Sequence, residues 1–303
     1  MFLLINNIII KLLPFVPKII IKLISNRYIA GINDKDALKT IKKINQMNLC
    51  ATIDILGEHT QDTMKANDIT ANYVKLYKDI KNNNLDCNIS LKPSHIGSDI
   101  NIDLFNKNLT KIHNQSIKHD NFIRLDMENS SLTDITITTF LKKYELNTNI
   151  GLVIQAYLLR SLDDINNLEK GMNIRLCKGI YNESSKVAIK DPNQINENYL
   201  TLLKTSFQKG LYVGIATHDR TLIKKTLEII DSMHIKKKLF EFQVLYGVPM
   251  GNTINELLNK KYKVRVYVPY GKDWYDYSIR RLKENPNISK YVIKNLYSRN
   301  FYK

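Results

Sequence analysis

From residue 49 onward the chain alternates between two patterns. Short runs rich in β-branched residues are separated by longer stretches in which apolar residues recur every three or four positions. The first pattern reads as buried strands and the second as amphipathic helices. The runs are ATIDILG (51–57), NISLKP (88–93), FIRLDM (122–127), IGLVIQAY (150–157), NIRLCKG (173–179), YVGIAT (212–217), FEFQVLYG (240–247) and VRVYVPYG (264–271). Every gap is long enough for a helix, and three helices are plain: 133–146, 196–210 and one opening at Asp219. Strands alternating with helices imply a parallel sheet covered by helices. Eight such units close most naturally into a distorted (β/α)8 barrel of the TIM type. The rival is a doubly wound open sheet, but no GxGxxG follows the first run. Residues 1–48 are expected to form an N-terminal helical extension and 49–303 the catalytic barrel. One helix of the extension spans 33–47, capped by Asn33 or Asp34.

The most apolar stretch, MFLLINNIIIKLLPFVPKIIIKLIS, is interrupted by Lys11, Pro14, Pro17 and Lys18, well short of the roughly 20 apolar residues a spanning helix needs. It reads as an amphipathic helix, either packed on the domain or resting on a membrane surface. A net charge of +16 raises the question of a polyanionic partner, but the lysines are spread along the chain. That pattern reads as a solvated surface, and no nucleic-acid partner is expected. Cys50, Cys87 and Cys177 stand far apart in an odd count, which points to a reducing compartment. The six histidines show no metal-ligand spacing, and no structural metal is expected.

Chemistry in such barrels gathers at the C-terminal strand ends, and here those ends are polar. The second run ends in Lys92 and the third in Asp126. The fourth carries Gln155, and the fifth carries Arg175 and Lys178. The sixth ends in Thr217 and His218, the seventh carries Gln243 and Tyr246, and the eighth Tyr267. Buried charges cost several kcal/mol unless paired. Singly, each has a structural reading: Asp126 paired with Lys92 or Arg175, Gln155 as a buried amide, Tyr267 as core, His218 as a helix-cap neighbour. Glu58 reads as a first-turn helix residue rather than a base. After the eighth run a helix carries YSIRRLKEN (277–285), with Tyr277 four residues before Arg281 and Arg280 four before Glu284. Arg280 and Arg281 are either solvated on an outer helix or converge on one carboxylate or phosphate. The aromatic neighbours Trp274, Tyr275 and Tyr277 favour a helix lying over a ligand.

The motifs RLDME (124–128), QAYL (155–158), RLCKGIY (175–181), ATHD (216–219), EFQVLYG (241–247) and RVYVPYGKDWYDYSIRRLKEN (265–285), in this order, closely resemble those of the monofunctional bacterial proline dehydrogenases. The resemblance implies a barrel holding FAD non-covalently, oxidation of L-proline to Δ1-pyrroline-5-carboxylate, and reoxidation by a membrane quinone. It also implies a cytoplasmic enzyme in peripheral contact with the inner face of the membrane. A pyrroline-5-carboxylate dehydrogenase is the expected downstream partner. By resemblance, Arg280 and Arg281 bind the proline carboxylate. Lys92, Asp126, Tyr267 and Tyr277 match substrate-site positions, and Arg175 matches the arginine near flavin N5. Met127, Gln155, Lys178, Gly179, Ile180, Thr217 and His218 match flavin-site positions, and Glu284 matches a glutamate that orients the last helix. Lys178 and the helix start after His218 are the candidates for the FAD pyrophosphate. Lys92 and Asp126 are expected to form an orienting ion pair, with water taking the amine proton. Three departures bear on substrate preference: Cys177 for valine, Ile180 for alanine, and Pro93 directly after Lys92. The alternatives are another FAD-dependent barrel such as methylenetetrahydrofolate reductase, which has no need of the arginine pair, and a non-catalytic basic barrel binding nucleic acid or anionic membrane.

Overall fold

All eight runs are strands, and they close into one parallel barrel in the computed structural model, which describes residues 17–284 apart from the side chains at 20, 24 and 280–284. The strands are β1 (Cys50–Ile55), β2 (Cys87–Leu91), β3 (Ile123–Leu125), β4 (Ile150–Gln155), β5 (Asn173–Cys177), β6 (Tyr212–Ala216), β7 (Phe240–Leu245) and β8 (Val264–Tyr270). Each pairs with the next, and β8 closes on β1 with Tyr267 opposite Thr52 and Pro269 opposite Asp54. A strand with helices on one side and the barrel interior on the other is buried on both faces. β4 is the clearest case, with all six positions buried. The helices are α1 (Lys18–Ser25), α2 (Asp34–Gln46), α3 (Thr63–Asn82), α4 (Ile102–Lys118), α5 (Thr133–Leu146), α6 (Ser161–Asn166), α7 (Pro192–Gln208), α8 (Arg220–Ser232), α9 (Thr253–Asn259) and α10 (Trp274–Glu284).

Polar side chains start most of the longer helices. Asn33, Asp62, Asn101, Asp191 and Asp219 each accept a first-turn backbone N–H, satisfying donors that the helix itself cannot. α7 begins at Pro192, four residues before the apolar periodicity that announces it, because Asp191 caps and Pro192 supplies a preset φ at the first helical position.

The distortion lies where the barrel closes. α2 drives Ala37, Ile41 and Ile44 into the same core as Ile53, Val266 and Val268, so a helix from before the first strand covers β1 and β8. The helix that follows β8, α10, is thereby released from that groove. It packs instead with α1 in a separate small cluster of Ile21, Tyr28, Ile29, Leu56 and Tyr277. Ser25 and Ser278 share a hydroxyl hydrogen bond of 2.6 Å across that contact. α1 packs through Ile21, yet Ile19 is 71% and Leu23 56% exposed. Among the described residues no helix is long and apolar enough to cross a membrane.

Candidate active site

At the C-terminal ends of the strands four charged groups meet: Asp54, Asp126 and Arg175 are buried and Lys92 is partly so. Asp126, just past β3, is fixed by its own N–H to the Leu91 carbonyl at 2.8 Å. Its Oδ1 accepts from Arg175 Nη1 at 2.7 Å and from Ser90 Oγ at 2.6 Å, while Oδ2 accepts from Tyr267 OH at 2.8 Å. Lys92 Nζ lies 2.9 Å from Asp54 Oδ2 and 3.7 Å from Asp126 Oδ2. The Arg175 guanidinium also sits 5.0 Å from the Tyr267 ring centroid, a cation–π contact. Two cations and two carboxylates balance each other.

The titration of these groups follows from that balance. Burial alone would raise the Asp126 carboxyl, but Arg175 and Lys92 outweigh it and hold the group below the ordinary carboxylate range. Burial would lower the Lys92 ammonium, but Asp54 and Asp126 push it above its usual value. Asp54 goes the other way, raised by burial more than Lys92 lowers it. With two carboxylates facing one ammonium, Lys92 is charged and Asp126 ionised. Burial and Asp126 also drive Tyr267 far above its usual range, so it stays a donor.

Above this floor opens a cavity of about 490 Å³ lined by Lys92, Asp126, Met127, Gln155, Arg175, Ile180, Tyr267 and Tyr277, all read from the sequence as site residues. Glu58, His59, Val153, Cys177, Tyr181, Asn182 and Leu245 complete the wall. Four expected residues are not part of that wall. Lys178 Nζ pairs with Asp219 Oδ2 at 2.8 Å. Gly179, at φ +103°, lies so close to the Tyr157 ring that a Cβ would overlap it. Thr217 Oγ1 accepts from the Asp219 N–H at 3.2 Å. His218 Nε2 accepts from the Leu245 N–H at 2.8 Å, so the ring holds the end of β7. The side chains of Arg280, Arg281 and Glu284 lie outside the described residues; their backbone continues α10.

The expected Lys92–Asp126 ion pair is present at 3.7 Å, but each partner has a nearer one, Asp54 for Lys92 and Arg175 for Asp126, because Lys92 leans across to β1. Two sequence readings need revision. Glu58 is not on a helix. It lies in the loop before α3, where Gly57 at φ +150° and His59 at φ +53° prevent a helical turn. The start of α8, a candidate for the FAD pyrophosphate, is closed by Asp219, whose Oδ1 accepts from Thr221 and Leu222 N–H while Oδ2 engages Lys178. A carboxylate there opposes a second anion. Pro93, by contrast, has a plain role. It opens a short 3₁₀ turn, Pro93–Ile96, that Glu128 ties down through the Ser94 N–H at 2.8 Å and the Ser94 hydroxyl at 2.5 Å. Sequence reasoning passed over Asp54, Tyr181 and Asn182. The signal for Asp54 was a lone carboxylate in an apolar strand; for the other two it was adjacency to Ile180.

A family model described as proline dehydrogenase matches residues 37–294. Proline dehydrogenase 1 of Bacillus subtilis subsp. natto is 36% identical over 273 residues, 90% of each chain. The chain belongs to the proline dehydrogenase family. The proline dehydrogenase of Deinococcus radiodurans is 31% identical over 279 residues, again 90% of each chain. Among solved structures, proline utilization A of Bdellovibrio bacteriovorus, inactivated by N-propargylglycine, superposes with a TM-score of 0.81 at 22% identity. That likeness concerns the fold; it covers 92% of this chain, which spans about a third (34%) of that longer protein. The family activity is oxidation of proline, a flavin-dependent step of proline catabolism.

The residues present fit the flavin ring. Met127, Val153, Ile180, Tyr181 and Leu245 give apolar walls for a flat aromatic system. Gln155 donates its Nε2 to the Glu128 carbonyl at 2.9 Å, which leaves its Oε1 as an acceptor. Arg175 offers a fixed cation, and among the described residues none accepts from its Nη2.

Proposed function

We propose that the cavity binds FAD and L-proline side by side and that the chain oxidises proline to Δ1-pyrroline-5-carboxylate, with a membrane quinone as final acceptor. The observation that carries this reading is the ion-paired quartet of Asp54, Lys92, Asp126 and Arg175 on the floor of a cavity walled in part by Met127, Val153, Ile180, Tyr181 and Leu245. FAD, when bound, supplies the two-electron acceptor for hydride from the ring carbon next to nitrogen. Because Lys92 and Arg175 are already paired, neither is spare to neutralise the substrate carboxylate. Arg280 and Arg281 are the residues proposed to do so, as a guanidinium pair matches a carboxylate bidentately. Loss of hydride requires a neutral amine. Lys92 beneath the substrate disfavours an ammonium there, and water carries the proton away. Asp126 is a poor base: it is ionised, but the charges of Arg175 and Lys92 hold its pKa low and three hydrogen bonds already occupy it. Tyr267 and Tyr277 cover the substrate ring and exclude water.

Electron delivery to quinone needs contact with a membrane surface. The exposed Ile19 and Leu23 of α1, flanked by Lys18 and Lys22, support peripheral contact with the cytoplasmic face. The product, an imine in equilibrium with an aldehyde, is the substrate for a downstream pyrroline-5-carboxylate dehydrogenase. The purified protein is expected to be yellow and to bleach anaerobically with proline. Bleaching with NADH instead would favour the methylenetetrahydrofolate reductase reading, and a colourless protein retained on DNA or anionic vesicles would refute both. Vesicle flotation with and without residues 1–25 tests the membrane contact.

A further inference from the structure

Arg175 is anchored at two nitrogens, and only one anchor belongs to the charged quartet. Its Nε donates to Gln243 Oε1 at 2.6 Å. We propose that Gln243, on β7, is the residue that positions the Arg175 guanidinium, and that Gly214, on β6, is there to leave room for it. The proposal rests on the reading that Arg175 faces the flavin.

A guanidinium is planar, so fixing Nε and Nη1 fixes the direction of Nη2. Asp126 and Ser90 hold only Nη1, at 2.7 and 3.2 Å. A group bonded at one nitrogen can still swing about that bond. The Gln243 bond removes the freedom. Gln243 is itself held from behind: its Nε2 donates to Glu241 Oε1 at 2.7 Å. The same oxygen accepts from Arg265 Nε at 2.7 Å, and Arg265 Nη1 donates to the Ala51 carbonyl at 2.7 Å. A cation on its oxygen side and an anion on its nitrogen side leave the amide one favourable orientation. Neither a leucine nor a glutamate would serve. Leucine leaves Arg175 Nε buried without an acceptor, and glutamate sets a second carboxylate against Glu241.

Gly214 supplies an independent observation. It lies opposite Glu241 in the β6–β7 register, and a Cβ there would stand 2.5 Å from Gln243 Nε2. No left-handed backbone angle calls for glycine at this position. Space for the amide is what the missing side chain provides.

The test uses the flavin-loaded enzyme carrying Gln243→Leu or Gly214→Ala. The reduction potential is measured together with kcat and KM for proline. Gln243→Leu is expected to lower kcat about tenfold with KM changed less than twofold, the pattern of a lost transition-state interaction. Preference for the two-electron-reduced flavin should fall about tenfold, or about 30 mV. Gly214→Ala should shift both in the same direction by less. In a Gln243→Ala background it should do nothing further, because its target is gone. An unchanged potential and kcat in folded Gln243→Leu would overturn the proposal, as would an undiminished Gly214→Ala effect without the glutamine. Where Gln243→Leu does not fold, the single added methyl of Gly214→Ala decides by the same measurements. Solvent exchange of the Arg175 Nε–H, followed by nitrogen-15 NMR in flavin-free protein, separates this proposal from the functional reading. Slow exchange in wild type and fast exchange in either variant supports the positioning role even if proline never reduces the enzyme; equal exchange rates refute it.

Discussion

Replacing Asp126 with asparagine keeps the side-chain shape and an acceptor for Arg175 while removing the charge that balances Lys92 and Arg175. At an effective dielectric of about 20, unit charges at 2.7 Å attract by about 6 kcal/mol and at 3.7 Å by about 4.5 kcal/mol. Against this stand the carboxylate's own desolvation, several kcal/mol, and its repulsion from Asp54. The net cost of breaking such a buried group is about 3–5 kcal/mol, a large part of a typical folding stability. For a chain of this length about 2 °C is lost per kcal/mol, so the melting temperature should drop by about 6–10 °C in differential scanning calorimetry. Asp126→Ala, which also removes three hydrogen bonds, should fall further. The sign with pH is fixed. The folded pKa of Asp126 is depressed, so its stabilisation is present above the unfolded value of about 3.9 and is lost as pH falls toward the folded value. The gap between wild type and Asp126→Asn should therefore be flat from pH 5 to 8 and close below about pH 4. Turnover of proline should decrease and KM rise together, since Arg175 and Lys92 both lose their anchor. A melting temperature within 1 °C of wild type (about 0.5 kcal/mol) would refute the electrostatic account, and a change confined to the pH–rate profile would make Asp126 the general base.

Two further expectations concern the rim. His59 Nδ1 lies 2.7 Å from Asp99 Oδ2; burial alone would lower its pKa, but Asp99 raises it above the usual value. That stabilisation is full below the unfolded pKa of about 6.5 and is lost as pH rises through the folded value. The stability advantage over His59→Gln, under about 1 kcal/mol for so exposed a pair, should be larger at pH 5.5 than at pH 8.5; the reverse order would rule the pair out. Gly179→Ala combines a left-handed φ of +103° with a Cβ inside the Tyr157 ring, and should lower stability by about 1–3 kcal/mol, read from the urea midpoint. An unshifted midpoint would show that the loop after β5 can rearrange freely.

The strands were legible because a parallel barrel buries both faces of each, leaving compact β-branched runs between polar helices. The same double burial hid Asp54. In a strand with no polar face, alternation does not tell which side of Thr52 and Asp54 looks into the barrel, and the partner on β2 comes only with the register. The start of α7 was obscured by PNQIN, where Asp191 and Pro192 carry the signal and apolar periodicity has not yet begun. In the loop at 56–62 only one of the two positive φ angles falls on a glycine, Gly57; the other falls on His59, a residue that gives no such signal and sits directly after Glu58. The polar strand ends were visible residue by residue, but their division into pairs was not, since it depends on which of two carboxylates each cation reaches first.

The closure of the barrel explains how one helix comes to lie over the mouth. A helix following β8 would ordinarily seal the groove against β1, and that sealing here falls to Ala37, Ile41 and Ile44 of α2. α10 is left to pack on Ile21, Tyr28, Ile29 and Leu56, a cluster apart from the main core, and it carries Tyr277 to the cavity. A segment held by a handful of apolar contacts opens at a lower free energy than the barrel beneath it. Opening α10 therefore leaves the quartet of Asp54, Lys92, Asp126 and Arg175 undisturbed, because each of its members is anchored on β1, β2, β3 or β5. Substrate entry and the electrostatics of the floor are thus separable by construction: mutations in the α1–α10 contact should alter entry and release, while those beneath the cavity should alter the chemical step.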